Sequence, residues 1–172
     1  TGADLVGYSG FSASNYLEQP YNADLDFGTG DFCVMGWVNQ ASATSNQTIL
    51  DKYDGATTAN WFSFVVFSGV VQVYMGGWKA SSFTLPIGAW ACVAAVRVSG
   101  VLKIYANGVE VYSAANTTNV TLAGAVTKVG ANIAGTWNFL GSLALWRISA
   151  TAPSAEQIAK IYNDEKYLFQ EN

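Results

Sequence analysis

The chain has 172 residues, of which 51% are hydrophobic, 14% aromatic and only 12% charged, with a formal net charge of −4. That length suits one domain with a real core rather than two. Sparse charge with many Val, Tyr, Trp and Phe argues against disorder and for β-structure. The acidic balance argues against a nucleic acid partner, which requires clustered Lys and Arg. No run approaches the roughly 18 apolar residues of a membrane helix. Histidine is absent, which excludes a His-based triad, a His zinc site and a His general base. No signal peptide is visible from Thr1 onward.

In chain order, the first expected strands are short, at 5–8 and 15–18, the second ending before Pro20. A loop rich in Asp and Gly follows. Residues 31–38 are apolar on both faces, as a strand buried in the middle of a sheet would be. A polar loop leads to a short strand at 48–50, which runs into a turn at 51–55. Strands are expected at 60–67 and Val70–Met75 around Ser68-Gly69, and at 78–85 after Gly76-Gly77.

Residues 90–112 carry the clearest signal. Trp90–Val98 is apolar almost throughout. Ser99-Gly100 turns the chain into Val101–Ala106, where Leu102, Ile104 and Ala106 share one face and Lys103 and Tyr105 the other. Asn107-Gly108 suits a type I′ hairpin turn, which needs positive φ at both central residues. A strand at 109–112 returns. Further strands are expected at 120–122, 125–129 and 139–149.

The one clear helix starts at Ser154, where Gln157 completes a capping box after Pro153. Ile158, Ile161, Tyr162 and Leu168 recur at helical spacing. The end of the chain, around Tyr167 to Gln170, is apolar. It reads as a stem, so the expected organisation is a sandwich domain over 1–163 and a helical stem over 164–172. The stem would lead to a further domain or to an oligomer contact. Cys33 and Cys92 both lie in apolar strands, as two small buried hydrophobes or as a disulfide. Residues 68–77 and 99–108 echo each other at an offset of 31, which reads as one hairpin chemistry used twice in a single meander.

The order of these signals resembles the laminin-G-like, concanavalin A-like jelly rolls. Asp31-Phe32-Cys33-Val34-Met35-Gly36-Trp37-Val38 is similar to their FTV..WV strand. Trp90-Ala91-Cys92-Val93-Ala94 resembles W.HVA, with Cys92 where histidine is common. Lys103 to Gly108 resembles KLYVNG. Lys128-Val129-Gly130 with 141–148 resembles KIG…G.IA.VRIY, and 154–162 resembles LS..EI..LY. The match runs over residues 15–162. A looser similarity links the tail, 169–172, to segments of bacteriophage structural proteins. The resemblance implies an all-β fold: two antiparallel sheets in a jelly-roll sandwich with one C-terminal helix.

It also implies a class of work. Most such domains bind carbohydrate or protein, some with calcium at the rim, and others are glycoside hydrolases or lyases. Hydrolases of β-glucans on this scaffold carry a Glu-x-Asp-x-x-Glu strand, which is missing here. Of the five glutamates only Glu18 and Glu110 fall on expected strands, so no enzyme is expected. Rim calcium would fall to Asp51, Asp54 and Asn119, with no carboxylate at the second ligand position.

Sugar binding needs exposed aromatic faces and nearby amides. Trp37, Trp90 and Trp146 lie inside apolar strands and are expected in the core. Trp61, Trp78 and Trp137 lie beside loops, with Asn60 and Asn132 nearby, and are the ligand candidates. The expected function is a non-catalytic module for a glycan or cell-surface ligand, acting in adhesion outside the cell or on a virion. The alternative is a structural or decoration domain of a virion or surface assembly with no glycan ligand.

Overall fold

The computed structural model describes residues 7–170, and Leu5 and Val6 of the first expected strand lie outside that range. Among the described residues twelve strands form two six-stranded antiparallel sheets. The first sheet runs β1 (Tyr8–Ser9), β12 (Gly141–Ser149), β3 (Phe32–Gln40), β8 (Trp90–Val98), β9 (Val101–Ala106), β10 (Val109–Ala115). The second runs β2 (Leu17–Gln19), β11 (Val126–Val129), β4 (Gln47–Tyr53), β5 (Phe62–Phe67), β6 (Val70–Met75), β7 (Trp78–Thr84). No helix among the described residues is long and apolar enough to cross a membrane.

The core lies between the sheets because alternate side chains of each strand point to one side. Phe32, Val34, Val38, Val93, Leu102 and Ile104 meet Leu50, Phe62, Phe64, Val66, Val71 and Val73 there. The expected Asn-Gly turn forms, with φ of 49° and 81° at Asn107 and Gly108. Ser68-Gly69 and Ser99-Gly100 adopt almost the same geometry, at 49°/80° and 49°/75°.

The sequence echo is not one meander. Its first copy supplies β6, at the centre of β5-β6-β7 in the second sheet; its second supplies β9, at the centre of β8-β9-β10 in the first. Val71 and Val73 correspond to Leu102 and Ile104, and all four face the core. Tyr74 and Tyr105 correspond on the outward faces.

The two outward faces are finished differently. The first sheet is covered by α1 (Ala155–Glu165), which begins with the expected capping box at Ser154 and Gln157. Ile158, Ile161 and Tyr162 pack onto Cys33, Met35, Trp37, Cys92, Ala94 and Tyr105. Trp37 is thus fully buried, but under the helix rather than between the sheets, and its Nε1–H donates to Glu165 at 2.8 Å. Glu165 also accepts twice from Arg147, at 2.6 and 2.7 Å.

The segment expected as a stem folds down instead. Phe169 stacks on Trp37 at 4.3 Å and tilts against Trp90 at 4.9 Å, and Gln170 donates to the Trp90 carbonyl at 2.8 Å. Residues up to 170 therefore complete the sandwich, while Tyr167 and Leu168 remain exposed. Trp90 is half-buried in this layer.

Trp146 does reach the inter-sheet side, though only half-buried. A bulge in β12, with Leu145 at a φ of 51°, shifts the alternation between Ala144 and Arg147 and turns the indole inward against Phe64. Gly36 makes room for it, since a Cβ there would sit 2.6 Å from the ring.

Both cysteines are free and buried. Burial pushes the Cys33 thiol up to about 11 and the Cys92 thiol up to about 12. Cys33 stands opposite Val96 and Cys92 opposite Trp37, so the disulfide alternative fails on register. The expected strand at 120–122 is a loop. Val120 and Leu122 donate their N–H groups to the Gly28 carbonyl and to Asp26 rather than to a strand, while their side chains plug the core rim.

At one margin β7 and β10 come together, with the Ser82 hydroxyl donating to the Val111 carbonyl at 3.2 Å. The opposite margins are β1 and β2, of two and three residues.

Candidate functional site

Among the described residues no α-helix lies on the outward face of the second sheet; it carries aromatic rings. Tyr53 ends β4, Trp61 precedes β5, Phe67 ends β5, Tyr74 lies on β6, Trp78 begins β7, and Trp137 comes from the 130–140 loop. Val71, Val73 and Met75 point to the core, so Tyr74 must point away from it. Register then places Trp78 directly opposite Tyr74.

The six rings form one connected array. Trp61 lies between Tyr53 at 4.9 Å and Tyr74 at 4.1 Å, both inclined by about 30°. Trp78 meets Trp61 edge-on at 5.5 Å, Tyr74 at 4.9 Å and Phe67 at 4.4 Å. Trp137 stands edge-on to Phe67 at 5.0 Å and lies 6.4 Å from Trp78. Trp78 is the open member, 38% exposed, and Trp61 and Trp137 are half-buried.

Asp51 lies beneath this array. A bulge after Thr48 extends β4 through Tyr53, so Asp51 is a strand residue facing outward opposite Ser63, not a turn residue as expected. It is nearly fully buried. One carboxylate oxygen accepts the Trp61 Nε1–H at 2.7 Å and the other accepts the Ile133 N–H at 2.9 Å. One side chain thus ties the central ring to the loop that carries Trp137.

Burial pushes the Asp51 carboxyl above its ordinary value, although the Trp61 and Ile133 donors and nearby Lys128 pull the other way. Lys128 sits 3.9 Å above the Tyr16 ring and 4.0 Å from Glu18. In Asp51→Asn the new NH2 group must face one of two N–H donors, so one bond is lost. We expect a loss of about 1–3 kcal/mol, with a red shift of tryptophan emission, read by urea unfolding followed by fluorescence.

The three candidate tryptophans are thus brought together, but the candidate amides serve as scaffolding. Asn132 accepts from the Thr136 and Trp137 N–H groups and donates to the Thr136 hydroxyl, which folds the loop that aims Trp137. Asn60 donates to the Asn119 carbonyl at 2.9 Å. Sequence reasoning missed Tyr53, Phe67 and Tyr74. Alternation along β6 could have found Tyr74, but β5 is apolar on both faces and hides which side is outward.

The residues expected to hold calcium do not fit it. Both Asp51 oxygens are occupied by N–H donors. Asp54 accepts from the Ala56 and Thr57 N–H groups, and the Asn119 side chain accepts from Thr121. Among the described residues no three acids or cysteines are grouped for a metal.

The strand order and packing fit one known architecture, and a family model described as the concanavalin A-like lectin/glucanases superfamily matches residues 11–159. The chain belongs to the concanavalin A-like lectin/glucanase superfamily. No curated sequence matches it. Among solved structures, it is similar to domain 4 of AbnA, an extracellular arabinanase from Geobacillus stearothermophilus, in complex with arabinotriose. That likeness has a TM-score of 0.71 at 20% identity over 94% of this chain and 82% of the other.

A putative carbohydrate binding protein from Bacteroides ovatus gives a TM-score of 0.72 at 16% identity, over 92% of this chain and 47% of that one. A botulinum neurotoxin type C structure, described as entering cells through interaction with two ganglioside molecules, gives 0.64 at 15%, over 91% and 40%. The superfamily chain described here thus spans less than half of those last two proteins. At these identities the likeness is one of fold.

Proposed function

We propose that this chain is a non-catalytic carbohydrate-binding module whose ligand lies on the outward face of the second sheet, over Trp78, Trp137 and Trp61. The observation that carries the reading is the contrast between two sheets built alike. One outward face is covered by α1 and residues 166–170, and the other is left open and paved with six rings. Aromatic faces bury the C–H faces of sugars and leave their hydroxyls free for polar neighbours. The solved structure with this fold that is described with arabinotriose supports the carbohydrate part of this reading. So does the chemistry of Asp51, whose two oxygens hold framework donors rather than facing outward.

The test is a glycan array followed by calorimetry with Trp78→Ala, Trp137→Ala and Trp61→Ala. Trp78→Ala should cost about 2 kcal/mol or more, roughly 30-fold in affinity, measured well below the variant's own melting temperature because the ring also packs on Tyr74, Phe67 and Trp61. Binding indifferent to all three changes would count against this face, and no binding at all would count against the module.

In its biological setting the module acts in adhesion, outside the cell or on a virion surface. A second reading, packing into a surface assembly, is favoured by the exposure of Val109, Tyr167 and Leu168 at 64%, 65% and 44%. Light scattering on the wild type and on Tyr167→Ser with Leu168→Ser separates the two readings, because only an assembly domain loses mass.

A further inference from the structure

The charges around the aromatic array narrow what it can take. Of the eight Lys and Arg residues, Lys52, Lys103, Lys128, Arg147 and Lys160 have carboxylate partners. Arg97 is buried against backbone carbonyls, and Lys166 lies beside the Tyr162 ring at the end of α1, on the other sheet. Lys79 stands opposite core-facing Val73, so it lies on the far side of β7 from Trp78. Among the described residues no unpaired cation shares the ring-bearing side of the sheet, and the Lys79 ammonium lies by the Gly76-Gly77 turn on the other side of the strand. Asp54 lies beside this face without a cation partner, and a carboxylate or sulfate group on a ligand would meet no unpaired cation among the outward-facing residues.

One uncommitted polar group does lie on the face. Gln72 occupies the outward position two residues before Tyr74, between Val65 of β5 and Ala80 of β7. It is half-buried, and its amide engages no other group among the described residues. A primary amide presents a donor and an acceptor in one plane, which matches two neighbouring hydroxyls. The rings are also far from coplanar: Trp78 is turned 80° from Trp61 and 50° from Trp137. Such an array cradles a twisted single chain and cannot lie flat on a crystalline polymer.

Resting on the carbohydrate reading above, we propose that the face is specific for neutral, soluble glycan chains, with Gln72 reading a pair of adjacent hydroxyls beside Trp78. The charge layout of the described residues disfavours ion-pair recognition of uronic, sialylated or sulfated sugars.

The experiment is a glycan array holding neutral and acidic sets, followed by calorimetry of the best neutral and best acidic oligosaccharide at 20 and 500 mM salt. A pull-down on microcrystalline cellulose accompanies it, and Trp78→Ala, Gln72→Ala and Gln72→Glu are measured beside wild type. The expected result is binding confined to neutral chains, unchanged by salt, roughly 30-fold or more weaker in Trp78→Ala and about tenfold weaker in Gln72→Ala at an unchanged melting temperature. Binding of acidic chains that needs Trp78 and weakens with salt overturns the neutral specificity but keeps the carbohydrate reading. Retention on microcrystalline cellulose through Trp78 overturns the cradle. Neutral binding unaffected in both Gln72 variants overturns the role of Gln72. Failure of every glycan in both sets overturns the carbohydrate reading itself.

Discussion

Arg97→Met is expected to cost about 3–5 kcal/mol, measured by urea unfolding. The Arg97 side chain is fully buried on β8 and has no carboxylate partner. Its guanidinium instead donates to the carbonyls of Gly30 and Gly28, both at 2.7 Å, and of Thr118 at 2.6 Å, and it lies over the Phe32 ring at 5.1 Å. Two loops, at 27–31 and 116–119, thus depend on one side chain. Methionine fills the volume but leaves three carbonyls without that donor. Arg97→Lys should recover only part of the loss, because one ammonium cannot spread three donors as a planar fork does. If Arg97→Met melts like wild type, the guanidinium is not what closes this rim.

The second large effect is at Lys52 and Asp26. Lys52 points to the core side of β4, and its ammonium meets Asp26, which also accepts from the Leu122 N–H and the Tyr21 hydroxyl. Burial alone would raise the Asp26 carboxyl, but the Lys52, Leu122 and Tyr21 donors outweigh it and hold the group below its ordinary 3.8. A lowered folded value means that the contribution is fully present above the ordinary value. It is lost as pH falls from about 4 through the folded value.

Lys52→Met leaves a buried carboxylate without its cation, and we expect about 3–5 kcal/mol of destabilisation at pH 7. The deficit should shrink as pH falls below about 4 to pH 3, because the Asp26 carboxyl left without Lys52 takes up a proton more readily than the paired one. Asp26→Leu combined with Lys52→Met should regain most of the loss. A deficit that is the same at both pH values would show that packing, not charge, is at stake. Asp51 runs the other way: its carboxyl is raised in the folded state, which acid favours, so the Asp51→Asn penalty should grow between pH 7 and pH 3 where the Lys52→Met penalty shrinks.

What could be read in the sequence was what neighbours decide. Asn107-Gly108 dictates its own turn, Ser154 and Gln157 cap their own helix, and the order of strand motifs carries the fold. What escaped was set by distant partners. The apolar segment 166–170 looked outward-bound because Trp37 and Trp90, which it covers, are more than 75 residues away in the chain. Asp51 looked like a turn residue because the bulge that extends β4 leaves no mark in the local pattern. The duplicated hairpin looked like one meander because local chemistry is blind to the sheet a strand joins. Of the site, the tryptophans beside loops were legible, whereas Gln72 looked like any polar residue in an alternating strand.

The treatment of the sheet margins bears on how this half-apolar chain stays apart from its copies. A long exposed edge invites a neighbour to add a strand. Here β7 and β10 meet at one margin, joined by the Ser82–Val111 hydrogen bond, and the described parts of β1 and β2 are only two and three residues long. The margins thus offer little unpaired strand at the β1 and β2 side, and a contact between copies made there would fall to side chains, which surface substitution can tune without touching the fold.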